Sequence, residues 1–161
     1  MNTAFERVKA GKDEWLTPPI IIESLGDFDL DPCASLIRPW ATAKHHYTIE
    51  DNGLIQPWKG RIWCNPPYGR QTGKWLAKMV EHGNGIALIF ARTETKNFFR
   101  YIWPAAHGVM FLKGRLAFYH TDGTIAQNSA GAPSYLVAYG MENAKILREC
   151  GLNGKFLYIN S

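Results

Sequence analysis

Short apolar runs alternate with helix-forming stretches along most of this 161-residue chain, and that alternation restricts it to an α/β architecture. The runs at 27–31, 61–64, 85–91, 109–112, 116–119, 134–139 and 155–159 are short, rich in β-forming side chains and bounded by turn residues, so each reads as a strand. Residues 18–24, 72–82, 95–103 and 142–150 read as helices. The first opens on Pro18, tolerated in a first helical turn because its missing N–H would be unpaired there anyway. Parallel neighbours need crossover helices, so the first two thirds predict a mainly parallel central sheet with helices on both faces. The strand-rich last third predicts antiparallel strands at one edge. With 46% hydrophobic residues and no repeat or long linker, residues 1–161 are expected to form a single domain.

Composition narrows the function only loosely. A formal net charge of +4 suits a polyanionic partner without requiring one. Cys33, Cys64 and Cys150 are too few and too scattered for a disulfide framework, and no CxxC pair suggests zinc, so no metal is expected. The start of the chain mixes charges without an apolar leader, and no apolar run approaches the ~18 residues of a membrane span. A cytoplasmic protein without a membrane partner is the expectation.

Open α/β sheets bind ligands beyond the carboxyl ends of their strands, which directs attention to the segments after Asp31, Cys64 and Ala91. The second of these reads Asn65-Pro66-Pro67-Tyr68-Gly69. Two successive prolines fix φ and supply no N–H, so the loop is stiff and presents carbonyl acceptors with no backbone donors between them. An adenine N6 amine carries two hydrogens. Asn65 Oδ1 and the Pro66 carbonyl can accept one each, drawing the amine toward sp³ geometry and freeing its lone pair for attack on a methyl sulfonium. Tyr68 would stack on the ring. No strong base is required, because the amine becomes acidic only as the new bond forms. The plainer alternative is a Pro-Pro turn that ends a strand.

From residue 13 to about residue 139 the chain resembles the phage-type Dam family of DNA N6-adenine methyltransferases. Asp13-Glu14-Trp15-Leu16-Thr17-Pro18-Pro19 resembles its N-terminal cofactor motif, Phe28-Asp29-Leu30-Asp31-Pro32-Cys33-Ala34-Ser35 its first-strand motif, and Asn65-Pro66-Pro67-Tyr68 its catalytic motif. The motif order is that of the gamma-type amino methyltransferases. The resemblance implies a compact Rossmann-like class-I methyltransferase fold and S-adenosyl-L-methionine as cofactor. It also implies double-stranded DNA as partner, with the target base flipped out of the duplex. Trp15, Thr17 and Pro18 would border the methionine end of the cofactor, with Thr17 bonding its carboxylate. Asp31, followed by Pro32 and Cys33, would receive its α-ammonium group. Asp51 would bond the cofactor adenine, and Gly53 would let backbone approach that ring. Asp31 and Asp51 also have a plainer reading as caps or turn formers. The chain departs from the general class-I pattern in having no glycine in 31–35, which leaves the ribose contact unassigned. A phage or prophage origin, a GATC site, and a monomer or weak dimer without an obligate protein partner complete the implied picture. An RNA adenine or protein glutamine methyltransferase and an inactive nucleic-acid-binding module are the alternatives.

The remaining candidates concern DNA. Arg92 is a candidate phosphate contact, with Thr93 or Thr95 capping the helix that follows. Lys113-Gly114-Arg115 reads as a hairpin turn that offers cations to phosphate or as an ordinary solvated turn. Phe118 or Tyr119 would form a second wall around the base or pack in the core. Gln127 and Asn128 carry amides able to read an adenine edge. No segment has room for a large recognition insert, so recognition falls to short loops such as 70–74 and 119–133. His45 and His46 lack metal spacing and read as a surface or half-buried pair. Most of the six tryptophans are expected in the core.

Overall fold

The computed structural model describes residues 15–126 and 132–161. Asp13, Glu14, Gln127 and Asn128 therefore lie outside the described residues. In chain order the elements are α1 (Pro19–Ser24), β1 (Leu30–Asp31), β2 (His45–His46), a 3-10 turn (Gly53–Ile55), β3 (Ile62–Cys64), α2 (Thr72–His82), β4 (Gly85–Phe90), α3 (Lys96–Tyr101), β5 (Gly108–Leu112), β6 (Ser134–Tyr139), α4 (Met141–Glu149) and β7 (Gly154–Tyr158).

The strands form one sheet in the order β2-β1-β3-β4-β6-β5-β7. Pairing is parallel from β2 through β1 and β3 to β4, then antiparallel at β4–β6, β6–β5 and β5–β7. The expected parallel half is present, but the antiparallel part occupies half of the pairings rather than a fringe, so the sheet is mixed. Its hinge is β6, which pairs with β4 over six residues from Gly85↔Tyr139 to Phe90↔Ser134.

Period-2 alternation along the strands builds two cores. Ile62 and Cys64, Ala87 and Ile89, and Tyr135, Val137 and Tyr139 face Trp75, Leu76 and Met79 of α2 and Phe98 of α3. Trp63, Ile86, Leu88, Leu136 and Ala138 face Ile21 of α1 and Ala144 and Leu147 of α4. Helices thus cover both faces. Of the tryptophans, Trp58, Trp63 and Trp75 are buried, whereas Trp15 is 49% exposed and overhangs the site described below.

Two sequence expectations need correction. Residues 116–119 form no strand; Tyr119 makes only single bridges, to Leu16 and to Ile125. Both edges of β5 are taken by β6 and β7, so this segment turns away and bonds instead to Leu16 on one side and to Thr124 and Ala126 on the other, without a continuous ladder among the described residues. The strand expected at 27–31 shrinks to Leu30–Asp31; at Asp29 the side chain accepts from Arg61 N–H at 2.7 Å while the backbone N–H donates to Arg61 O at 2.8 Å. The two histidines, read as a surface or half-buried pair, are so placed, and they form the edge strand β2 on β1. His45 is exposed and His46 half-buried, and His46 Nε2 accepts from Thr42 N–H at 3.2 Å.

Candidate active site

The carboxyl ends of β1, β3 and β4 and the start of β6 open into a cleft of about 1230 Å³. Single small-molecule sites span roughly 300–1,000 Å³, so this one has room for two ligands side by side. Its walls include Trp15, Thr17, Asp31, Pro32, Cys33, Gly53, Asn65, Pro66, Pro67, Tyr68 and Phe118, which are most of the residues singled out from the sequence. Pro18 is buried and caps α1 from the position before its first residue. Leu16 fixes this entry segment by exchanging two backbone hydrogen bonds with Tyr119, at 2.7 and 3.0 Å.

At the end of β3 the loop is held from both sides. Thr72, in the first turn of α2, donates its hydroxyl to the Pro67 carbonyl at 2.7 Å and accepts from Gly69 N–H at 3.0 Å. Asn65 Nδ2 donates to Thr17 Oγ1 at 3.1 Å. Among the described residues no donor reaches Asn65 Oδ1 or the Pro66 carbonyl, so two acceptors from a rigid loop remain open at the cleft. Tyr68 is 47% exposed; its ring meets Phe90 at 4.5 Å between centroids, and its hydroxyl accepts from Arg92 Nε at 3.0 Å. Arg92 therefore anchors the tyrosine, a role its sequence position alone did not suggest. Thr95 caps α3 by accepting from Phe98 N–H, as one of the two sequence options had it.

At the end of the adjacent strand β1, Asp31 is only 4% exposed. Its Oδ1 accepts from Cys33 N–H at 3.1 Å and its Oδ2 from the Thr42 hydroxyl. Burial pushes its pKa up to about 6, against the opposing pull of these two donors and of nearby Arg38. The carboxylate lacks a full counter-charge and suits a cationic ligand. Arg38, which also lines the cleft and donates to Ser35 O at 2.7 Å, was missed in the sequence. The available signal was that it is the sole cation between Lys12 and Lys44.

A third wall comes from residues 48–58. Trp58 Nε1 donates to Gly53 O at 2.9 Å, and Lys78 Nζ of α2 donates to Leu54 O and Gln56 O at 2.8 and 2.7 Å. A Cβ on Gly53 would collide with the Pro32 carbonyl, so this glycine permits contact between two cleft loops. Asp51 is exposed, and its carboxylate accepts from Thr48 N–H at 2.8 Å, the plainer turn-forming arrangement. Its neighbours Asn52, Gly53, Leu54 and Ile55 reach the cleft instead. Lys113 and Arg115 are exposed on the turn after β5, away from the cleft walls.

The family model for DNA N-6-adenine-methyltransferase (Dam) matches residues 5–147. The chain belongs to the Dam family. Membership brings adenine methylation of DNA as its activity and DNA as its substrate. No curated protein and no solved structure matches it. In this Dam-family chain all three motifs converge on one cleft: Trp15 and Thr17 from the first, Asp31 to Cys33 from the second and Asn65 to Tyr68 from the third. Among the described residues no three of His, Cys, Asp and Glu gather as a metal site, and no helix is long and apolar enough to cross a membrane.

Proposed function

We propose that this Dam-family protein transfers a methyl group from S-adenosylmethionine to N6 of an adenine in double-stranded DNA, at a short specific site such as GATC, with the base flipped into the cleft. The observation that carries the reading is the pair of acceptors, Asn65 Oδ1 and the Pro66 carbonyl, that no described residue engages, on a loop that lines the same cleft as a buried carboxylate. The cofactor supplies an electrophilic methyl group on a positively charged sulfur. The protein's part is to hold the amine in line, through Asn65 and Pro66 accepting its two hydrogens, and to exclude water. Tyr68, braced by Arg92 and Phe90, supplies one stacking wall and Phe118 the other. The released proton passes to water after transfer.

The residues present fit the cofactor. Asp31, buried and short of counter-charge, takes the α-ammonium group, with Pro32 and Cys33 beside it. Thr17 donates its hydroxyl to the carboxylate, and Trp15 and Pro18 close that end. Because Asp51 is engaged with Thr48, the adenine end falls to the wall of residues 49–55 around Gly53. The fold reading is a compact Rossmann-like class-I methyltransferase domain whose short loops carry recognition. Mass-spectrometric detection of N6-methyladenine tests the function, using GATC duplex, scrambled duplex, single-stranded RNA and a glutamine-containing peptide as substrates. Methylation confined to RNA or peptide, or none on any substrate, would reject it.

The Asp31 environment makes cofactor affinity pH-dependent. The pKa near 6 belongs to the cofactor-free protein, and an ammonium partner favours the ionised form. Affinity is therefore greatest near pH 7: it falls toward about tenfold per pH unit just below the titration point, and it falls again above about pH 8, where an α-ammonium group loses its proton. Stability runs the other way: a carboxyl raised above its ordinary 3.8 makes the cofactor-free protein gain stability as pH falls from above 6 toward 4. Titration calorimetry in two buffers of different ionisation enthalpy should detect proton release at pH 6, and Asp31→Asn should abolish it.

Lys113 and Arg115 are assigned to phosphate contacts. Neutralising both should weaken binding to all duplexes alike and flatten the slope of log K against log salt by about one to two units. A wild-type slope in the double variant would remove them from the interface.

A further inference from the structure

Asn65 carries an ambiguity that its chemistry cannot tolerate. The two ends of a carboxamide are nearly the same size, and a half-turn of the side chain exchanges Oδ1 for Nδ2. In the wrong orientation an N–H would face an amine that is itself a donor, and the acceptor would be lost. Among the described residues Thr17 is the single hydrogen-bond partner of this amide, with its Oγ1 3.1 Å from Nδ2. A hydroxyl, however, both donates and accepts, so it satisfies either orientation unless its own proton is committed elsewhere.

Thr17 is built for a fixed role. It is 4% exposed, its β-branched side chain is stiff, and the following Pro18-Pro19 restricts its backbone to extended conformations. Leu16 before it is tied to Tyr119 in both directions. Among the described residues its hydroxyl has no acceptor for its proton, and the residue lines the cleft.

We propose that Thr17 is a positioning residue which orients the Asn65 amide, and that it does so fully only when the bound cofactor's carboxylate takes its hydroxyl proton. This rests on the cofactor placement given above. With the proton committed, Thr17 Oγ1 is an acceptor only; Nδ2 must face it, and Oδ1 must face the base. Cofactor occupancy thereby arms the acceptor that the target amine meets, without any movement of the loop.

The test reads the amide directly. The Asn65 side-chain ¹⁵N–¹H signals, assigned by their absence in Asn65→Ala, are followed while S-adenosylhomocysteine is added to the whole protein. The expected result is a shift of both amide protons with slowed exchange. 5′-Methylthioadenosine, which lacks the carboxylate, should produce neither effect. Thr17→Val should lose the response and Thr17→Ser restore it. In turnover at saturating cofactor, Thr17→Val should fall at least about tenfold, Thr17→Ser should stay within a few-fold, and Thr17→Val added to Asn65→Ala should cost nothing further. Wild-type turnover in Thr17→Val, strict additivity with Asn65→Ala, or an Asn65 amide indifferent to S-adenosylhomocysteine that binds would each overturn the coupling. The amide response needs no methyl transfer, so a protein inactive on every substrate loses the proposed function while the coupling is still judged.

Discussion

Replacing Asn65 with alanine is expected to lower turnover at least about 100-fold while leaving the cofactor dissociation constant within a few-fold, as loss of a preorganised acceptor at the reacting atom should. The asymmetry follows from what holds the loop. Pro66 and Pro67 keep their backbone angles, Thr72 still bonds the Pro67 carbonyl, and Pro66 is buried, so the loop persists without the amide. What disappears is one of the two acceptors for the amine hydrogens. The remaining Pro66 carbonyl takes one hydrogen and leaves the nitrogen lone pair conjugated with the ring. Single-turnover rates on a duplex with a unique site, beside calorimetric cofactor titration, measure both quantities. Equal turnover in variant and wild type would remove Asn65 from the chemistry and with it the role given to Pro66.

Replacing Asp31 with alanine is expected to weaken cofactor binding by about 2–3 kcal/mol, or roughly 30- to 150-fold, the size of a charge-assisted contact. An ionised carboxylate buried without a full partner is costly to the empty protein, as its pKa near 6 reflects. The variant is therefore expected to melt no lower than wild type at pH 8, even though Thr42 and the Cys33 N–H lose an acceptor. That combination, lower affinity without lower stability, separates a ligand-binding carboxylate from a structural one. Calorimetry with S-adenosylhomocysteine and thermal melts on the same samples decide it. Unchanged affinity in a folded variant would hand the ammonium contact to another group.

Much of the scaffold is legible in the chain because it depends on local pattern. Helix α2 occupies 72–82 and strand β6 occupies 134–139 as read from the sequence, since an amphipathic repeat with a glycine after it and a bounded run of β-formers are both local signals. Edge strand β2 consists of two histidines and carries no such signal; pairing with Leu30 and Asp31 makes it. The stretch 116–119 fails in the opposite sense. Its residues favour extended backbone, but β6 and β7 already flank β5, and the bonds this segment makes to Leu16, Thr124 and Ala126 are single bridges rather than a ladder among the described residues.

The site divides along the same line. Stiffness and the absence of donors in Asn65-Pro66-Pro67-Tyr68 are covalent properties of proline, and they were present in the sequence before any fold. The partners of that loop were not: Thr17 lies 48 residues from Asn65 and Arg92 lies 24 from Tyr68, and only the sheet brings either pair together. Asp31 and Asp51 show the limit most directly, for both were read as acidic residues in loops able to meet the cofactor. One is enclosed at the end of an interior strand, with its pKa raised to about 6, while the other is exposed and bonded to its own turn at Thr48. The sequence by itself determined which groups accept and which carry charge. Burial, which sets how strongly a charge acts, sums contributions from distant segments, and only the tertiary structure decided it.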